Sequence, residues 1–241
     1  MIKIDSEKFK QAISQAEQEG SLSGAIGTLG EKTIHKTLKY YFANGIDHEA
    51  KIGGYYADIA GESGIIEIQT ANFGRLRQKL EKFLPASRVT IVYPFEKKVN
   101  HFNFCHDTGK PVKTRTVNHK DLTRLFLELY RIKSFLNNAN LSVCIVGLEV
   151  NKFKAFSKGQ SRANKIKTTK YPVDILSEAY FKKPEDYKIF LPDNLPLEFT
   201  RVEFSKCCGY SNSALPIIIL EHLGLIKNIG KRGRAFLYAI D

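Results

Sequence analysis

The run Val89-Thr90-Ile91-Val92-Tyr93 reads as a short apolar strand of the kind buried in the centre of a sheet. What precedes it sets the architecture. Residues 6–19 have Phe9, Ala12, Ile13 and Ala16 at helical spacing, with Ser6 as N-cap and Gly20-Ser21 as the stop. A second helix spans 27–43, with Ile34, Leu38, Tyr41 and Phe42 on one face and Asn44-Gly45 at its end. Residues 48–59 read as a strand, Gly61 to Gly64 as a turn, and 65–70 as a second strand, together a hairpin. A helix over 73–83, broken by Pro85, leads into the apolar run. The order helix, hairpin, helix, strand predicts an α/β core with mixed strand pairing. A hairpin over 97–117, a helix capped by Asn118 and running to about Leu136 on a stripe of Leu122, Leu125, Phe126, Leu129 and Tyr130, and a strand over 141–150 extend that layer.

The chain has 241 residues, enough for one large domain or two small ones. No apolar run nears the roughly 20 residues of a membrane span, and the N-terminus lacks a signal-peptide pattern. Cys105, Cys144, Cys207 and Cys208 form no CxxC pair, so the expectation is reduced thiols in a cytoplasmic protein rather than a zinc site or disulfide framework. The formal charge of +12 is more selective. From Lys152 to Lys170 there are seven basic residues (Lys152, Lys154, Lys158, Arg162, Lys165, Lys167, Lys170) and no acid. Such a stretch suits a polyanion, because each phosphate contact releases condensed counterions; a solvated basic loop has the same composition.

Three acids fall inside the predicted core. Glu31 lies near the start of the second helix, Asp58 near the end of the first hairpin strand, and Glu67 on the next strand, two residues before Gln69. Residues two apart on a strand share a face, so Glu67 and Gln69 point together while Ile66 and Ile68 point away. Asp58, across a short turn, can approach Glu67. Two carboxylates at that distance repel unless a cation lies between them. Magnesium takes hard oxygen ligands of this type, with water and substrate phosphate in its remaining positions. Read alone, the same residues are also ordinary polar groups at a hairpin end; the element order separates the two readings. His35, four residues after Glu31, is expected to support a carboxylate. His101, Cys105 and His106 lack a further close ligand for zinc. Gly53-Gly54 reads as a bend within the strand.

Residues 22–95 resemble the PD-(D/E)xK nuclease superfamily, the restriction-endonuclease-like fold. The resemblance rests on Glu31, Asp58 and the ExK-like Glu67-Ile68-Gln69 in that element order. It implies a mixed sheet flanked by helices and Mg²⁺, with Mn²⁺ as a substitute, held by Asp58 and Glu67 with Glu31 direct or through water. Gln69 would line the attacking water, and the activity would be hydrolysis of phosphodiesters in DNA. Two positions depart from the pattern. Ala57 stands where the family has proline, a change of backbone shape only. Gln69 stands where it has lysine, and glutamine neither takes up a proton nor carries charge, though it can hold a water. A lysine from elsewhere, Lys51 or Lys79, could reach the site.

Residues 197–241 resemble a winged helix-turn-helix: a helix to Cys208, a turn at Gly209-Tyr210-Ser211, a second helix from Asn212 to Leu223, and two strands around Gly230-Lys231-Arg232-Gly233-Arg234. In such modules the second helix enters the major groove. Here that helix is apolar, so Tyr210, Ser211, Asn212 and Ser213 at its start, with Lys231, Arg232 and Arg234 on the wing, are the expected DNA contacts. The sequence therefore predicts an α/β nuclease domain (1–150), a basic connecting segment (151–196) and a small α+β winged-helix domain (197–241). The expected function is that of a cytoplasmic, magnesium-dependent endodeoxyribonuclease acting on double-stranded DNA, as a homodimer if it cuts both strands, with no organic cofactor and no membrane. The alternatives are a non-catalytic DNA-binding regulator or assembly protein on the same fold, which Gln69 favours, and a nuclease directed at RNA.

Overall fold

The computed structural model describes residues 4–22, 29–43, 50–105, 111–156, 168–210 and 212–241. Helices α1 (Ser6–Leu22) and α2 (Leu29–Phe42) open the chain. The α1 cap is Asp5, whose carboxylate accepts the Lys8 amide at 2.9 Å, in place of Ser6 one residue later. The apolar stripes meet as expected: Phe9 and Ala12 pack with Ile34, Leu38 and Tyr41 against one face of a sheet.

Three short strands replace the single one expected over 48–59: β1 (Ala50–Ile52), β2 (Tyr55–Ala57) and β3 (Ile59–Gly61). Gly53 and Gly54 both have positive φ, 58° and 89°, and close a two-residue hairpin in which Ile52 pairs with Tyr55. That backbone is open to glycine and strained for most other residues, so the pair makes a turn where a bend was expected. Asp58 falls at the break between β2 and β3. β3 then pairs antiparallel with β4 (Gly64–Ile68).

β4 runs parallel to β5 (Val89–Cys105), β5 parallel to β7 (Leu141–Phe156), and β7 antiparallel to β8 (Thr168–Phe181); β6 (Pro111–Asn118) pairs with the far half of β5. Among the described residues this makes a six-stranded mixed sheet, ordered β3-β4-β5-β7-β8 with β6 on β5. Its second face is covered by a 3-10 turn (Phe73–Leu76), α3 (Arg77–Phe83) and α4 (Thr123–Arg131), which bury Phe73, Leu80, Phe83, Leu125, Phe126 and Leu129. Val89, Ile91 and Val92 have no exposed surface, as a central strand covered on both faces requires. α4 is shorter than the helix predicted over 118–136. Asp121 accepts the Thr123 amide at 2.8 Å at its start, Asn118 stays in β6 opposite Lys98, and Tyr130, expected on the buried stripe, is 46% exposed.

The expected boundaries at 93 and 150 are absent. β5 and β7 are 17 and 16 residues long and run past the helices as an arm, so residues 151–156 and 168–181 are sheet strands where a connecting segment was expected. Alternation explains why: Lys152 and Lys154 flank Phe153, the period-2 pattern of a strand with two unlike faces. Residues 106–110, where the turn was expected, and 157–167 lie outside the described residues.

The C-terminal segment forms β9 (Glu198–Thr200), α5 (Arg201–Cys208), α6 (Ala214–His222), β10 (Ile226–Arg232) and β11 (Ala235–Ile240), with sheet order β10-β11-β9. Thr200 and Glu203 form a reciprocal capping box at the start of α5, and Gly209 in the left-handed region (φ 65°) ends it. Ile217, Ile219 and Leu220 of α6 share one buried cluster with Leu125, Phe126 and Leu129 of α4.

Candidate metal and active centre

The β3–β4 hairpin brings the two central acids together. Asp58 Oδ2 accepts the Ile68 amide at 2.8 Å and faces His35 Nε2 at 3.3 Å, so strand and helix both fix the carboxylate. Burial works against its charge, but the His35 hydrogen bond and charge, the Ile68 amide and the Lys79 ammonium outweigh it and hold its pKa below the usual value. Glu67, on β4, is 2% exposed. Its Oε2 pairs with Lys79 Nζ of α3 at 2.7 Å, while Oε1 is buried with no hydrogen-bond partner among the described residues. Burial pushes the Glu67 pKa up, the Asp58 carboxylate pushes the same way, and Lys79 with the Asp58 backbone N–H opposes without cancelling them.

A buried carboxylate oxygen without a donor costs about 1–3 kcal/mol or more, and native structures leave few such atoms without a reason. The donor set fits a hard cation: Glu67 Oε1 needs a partner, and both recorded bonds of Asp58 use Oδ2. Glu31 lies in the first turn of α2, and its side chain is outside the described residues. Among the described residues no group of three or more His, Cys, Asp and Glu side chains is arranged to hold a metal ion.

Gln69 lies one residue beyond β4, its amide bonded to Val92 O at 2.9 Å and its side-chain nitrogen donating to Ala71 O. That leaves its side-chain carbonyl, an acceptor, for a water or ligand. Of the two lysines considered for the missing ExK lysine, Lys79 reaches Glu67, whereas Lys51 lies on β1 over the Tyr56 ring. His35 supports Asp58, the partner that its spacing from Glu31 alone does not reveal.

β4 stops at Ile68, whereas β5 continues and is rejoined on that side by β6 only at Lys98. A cavity of about 410 Å³ occupies the gap, lined by Thr70 and Ala71 beyond Gln69, by Tyr93 to Glu96 of β5, and by Lys152 and Lys170. Ile34, the neighbour of His35 on α2, and the acids Glu96 and Asp121 also line it.

Glu128 was not among the predicted site residues. It is a 3% exposed acid that accepts the Phe73 amide at 2.8 Å and pairs with Arg131 at 2.9 Å, anchoring the turn after Gln69. A lone acid on the apolar stripe of α4 with an arginine three residues on was its sequence signal.

Of the expected DNA contacts, Lys158, Arg162, Lys165, Lys167 and Ser211 lie outside the described residues. Lys152, Lys154 and Lys170 lie on β7 and β8. Ser213 is 3% exposed and takes a hydrogen bond from Arg201 Nε at 3.4 Å. The Tyr210 ring packs 5.7 Å from that of Phe126, and burial pushes its hydroxyl up to about 12. Asn212 is exposed and spends its carbonyl on the Ala214 amide. On the β10–β11 hairpin, Lys231 and Arg234 are exposed, while Arg232 pairs with Glu203 at 3.1 Å. Among the described residues no helix is long and apolar enough to cross a membrane.

Fold and site together define a layered α/β protein with a buried, paired-carboxylate centre on a hairpin of a mixed sheet. The model of a family described as a domain of unknown function, DUF8091, matches residues 32–182, and the chain belongs to that family. The match begins just after Glu31 and ends before the C-terminal helices. An uncharacterized protein of Treponema pallidum (strain Nichols) is 26% identical over 217 residues, covering 88% of this chain and 86% of its own. No solved structure matches the chain.

Proposed function

We propose that this chain is a magnesium-dependent DNA endonuclease whose centre is Asp58, Glu67 and Gln69, with Glu31 contributed from α2. The observation that carries the reading is Glu67 Oε1, buried without a donor among the described residues and beside a second carboxylate. Asp58 and Glu67 would hold Mg²⁺, or Mn²⁺ in its place, with Glu31 direct or through water. Bound there, the metal would lower the pKa of a water and screen charge developing on the phosphoryl oxygens. His35 and the Ile68 amide hold Asp58 in position. The Gln69 carbonyl accepts a hydrogen bond from the attacking water and so orients it. Lys79, tied to Glu67 in the free protein, supplies the positive charge that Gln69 lacks and faces the scissile phosphate once released. The basic strands and the wing would hold the duplex, and two copies would be needed to cut both strands at one place.

The test is incubation of supercoiled DNA with the purified chain in Mg²⁺, Mn²⁺ or EDTA, beside Asp58→Ala and Glu67→Ala. Metal-dependent nicking lost in both variants supports the reading. The second reading, a DNA-binding regulator or assembly protein, is favoured by Gln69, whose amino group is already committed to Ala71. Intact DNA in every metal, with binding retained, would select it.

A further inference from the structure

The arm formed by the far ends of β5, β6, β7 and β8 has two unlike faces. On one, Phe102 stacks on Phe153 at 4.9 Å and Tyr171 meets Phe153 edge-on at 5.7 Å, contacts worth about 0.5–1.5 kcal/mol each beyond burial. Two acids are on that face: Glu149 pairs across the strands with Asp174, an odd number of residues from Lys152, and is held by Lys98 and Asn100.

The other face carries a row of basic side chains in strand register. Arg115 of β6 pairs with His101 of β5, His101 with Lys152 of β7, and Lys152 with Lys170 of β8; Lys154 lies one step further along. Like charges directly opposite on adjacent strands destabilise a sheet by about 0.2–1 kcal/mol per pair. The crowding is felt at His101, whose pKa is lowered by burial first and then by Arg115, Lys152, Lys154 and His119. Glu96 offsets Lys170 at 2.6 Å. Arg115 and Lys154 are exposed.

We infer that this face of the arm is a phosphate track for duplex DNA, in which Arg115, His101, Lys152 and Lys154 follow the backbone and Lys152 with Lys170 leads it into the cavity beside Thr70. This deepens the proposed DNA reading and adds Arg115 and His101 to the contacts expected from the basic segment. The dimensions agree. Four strands at about 4.8 Å spacing place the row over roughly 14 Å, the axial length of about four phosphates on one DNA strand at about 3.4 Å each. The partner is a duplex rather than a protein acid patch because the basic side chains form one line across the strands with no apolar centre, unlike the core of a protein interface.

The experiment is fluorescence anisotropy of a labelled duplex of roughly 20 base pairs with the full chain in EDTA, titrated between about 50 and 200 mM salt. The Arg115→Ala/Lys152→Ala variant is expected to weaken binding at least about tenfold and to reduce the slope of log K against log salt by about 1.8, or 0.9 per phosphate contact. Arg115→Lys/Lys152→Arg should restore the slope, and Lys10→Ala/Lys188→Ala, which removes equal charge elsewhere, should leave it unchanged. An unchanged slope in the first variant, an equal loss in the control, or tighter binding of single-stranded RNA of the same length overturns the track. EDTA separates this from the nuclease reading: an altered slope in a protein that never cuts leaves the track standing, and metal-dependent cutting with an unaltered slope removes only the track.

Discussion

Lys79 is the residue on which the resting state of the centre depends. Its ammonium is the donor recorded for Glu67 Oε2, and the glutamate is almost wholly enclosed. Breaking a buried pair from one side leaves an uncompensated charge, at about 3–5 kcal/mol, an upper figure here because Lys79 itself is about a quarter exposed. Lys79→Met should therefore lower the urea midpoint in EDTA. Millimolar Mg²⁺ should recover part of the loss if a cation can take the place of the ammonium, and none of it if the carboxylates do not bind metal. Cys144 gives a second check at this scale. It is fully buried, and burial pushes its thiol up to about 12, so iodoacetamide should leave it unmodified at pH 8 in the native chain and label it in urea, as read by peptide mass. The acids of the centre were legible because a carboxylate on an apolar strand is conspicuous. The partners His35 and Lys79 were legible only as candidates, since helix spacing says which face a residue takes but not which strand residue lies beneath it.

Among the elements, the β3–β4 hairpin positions both carboxylates, and Gly64 is its tightest point. Its φ is 122°, and a Cβ there would lie 2.6 Å from Arg88 O, a backbone atom that cannot swing away. Gly64→Ala should thus destabilise the chain by more than the roughly 1–2 kcal/mol of a left-handed alanine alone, seen as a lowered melting temperature. Glu149 tests the arm. Burial opposes its charge, but hydrogen bonds from Asn100 and Lys98 hold its pKa below the usual carboxylate value. A depressed carboxylate contributes stability that is present above its unfolded pKa and is lost as pH falls through the folded value. Glu149→Gln should cost about 1.5–3 kcal/mol at pH 7 and progressively less below pH 4.5 in urea titrations. Element type was readable from periodicity up to about residue 150, with errors at boundaries; beyond it the strands β8 and β9 were missed. Gly53-Gly54 turned the chain where one strand was expected. β5 and β7 outran their apolar segments because backbone pairing continues where side-chain hydrophobicity stops. The basic residues after 150 were read for their charge, and the period-2 alternation that marks them as a strand was hidden beneath it.

At the scale of the whole molecule, the question is whether the C-terminal helices form an independent module, as the sequence suggested, or part of one cooperative body. The turn, caps and hairpin of that segment are local features and so were legible. The face that α6 would turn was not, because an apolar helix can bury itself on its own module, on the rest of the chain, or on a second copy. The structure joins Ile217, Ile219 and Leu220 to the α4 residues Leu125, Phe126 and Leu129 in a single cluster. Phe126 is the hinge of that argument: it has no exposed surface and its ring meets both Phe190, at 5.0 Å, and Tyr210, at 5.7 Å. Phe126→Ala should cost about 3–5 kcal/mol. If the body is one cooperative unit, that loss is global. Amide exchange in α6 and in the central strand β5 should then accelerate together, with a single urea transition at a lower midpoint. Exchange accelerated in α6 alone, with β5 unchanged, would instead mark the C-terminal helices as a separately folding unit docked on α4. In that case the β10–β11 hairpin would move relative to the carboxylate centre. With one unit, Lys231 and Arg234 are held at a fixed distance from Asp58 and Glu67, and on the proposed nuclease reading a duplex touching both would have its cut position set by the protein's own geometry.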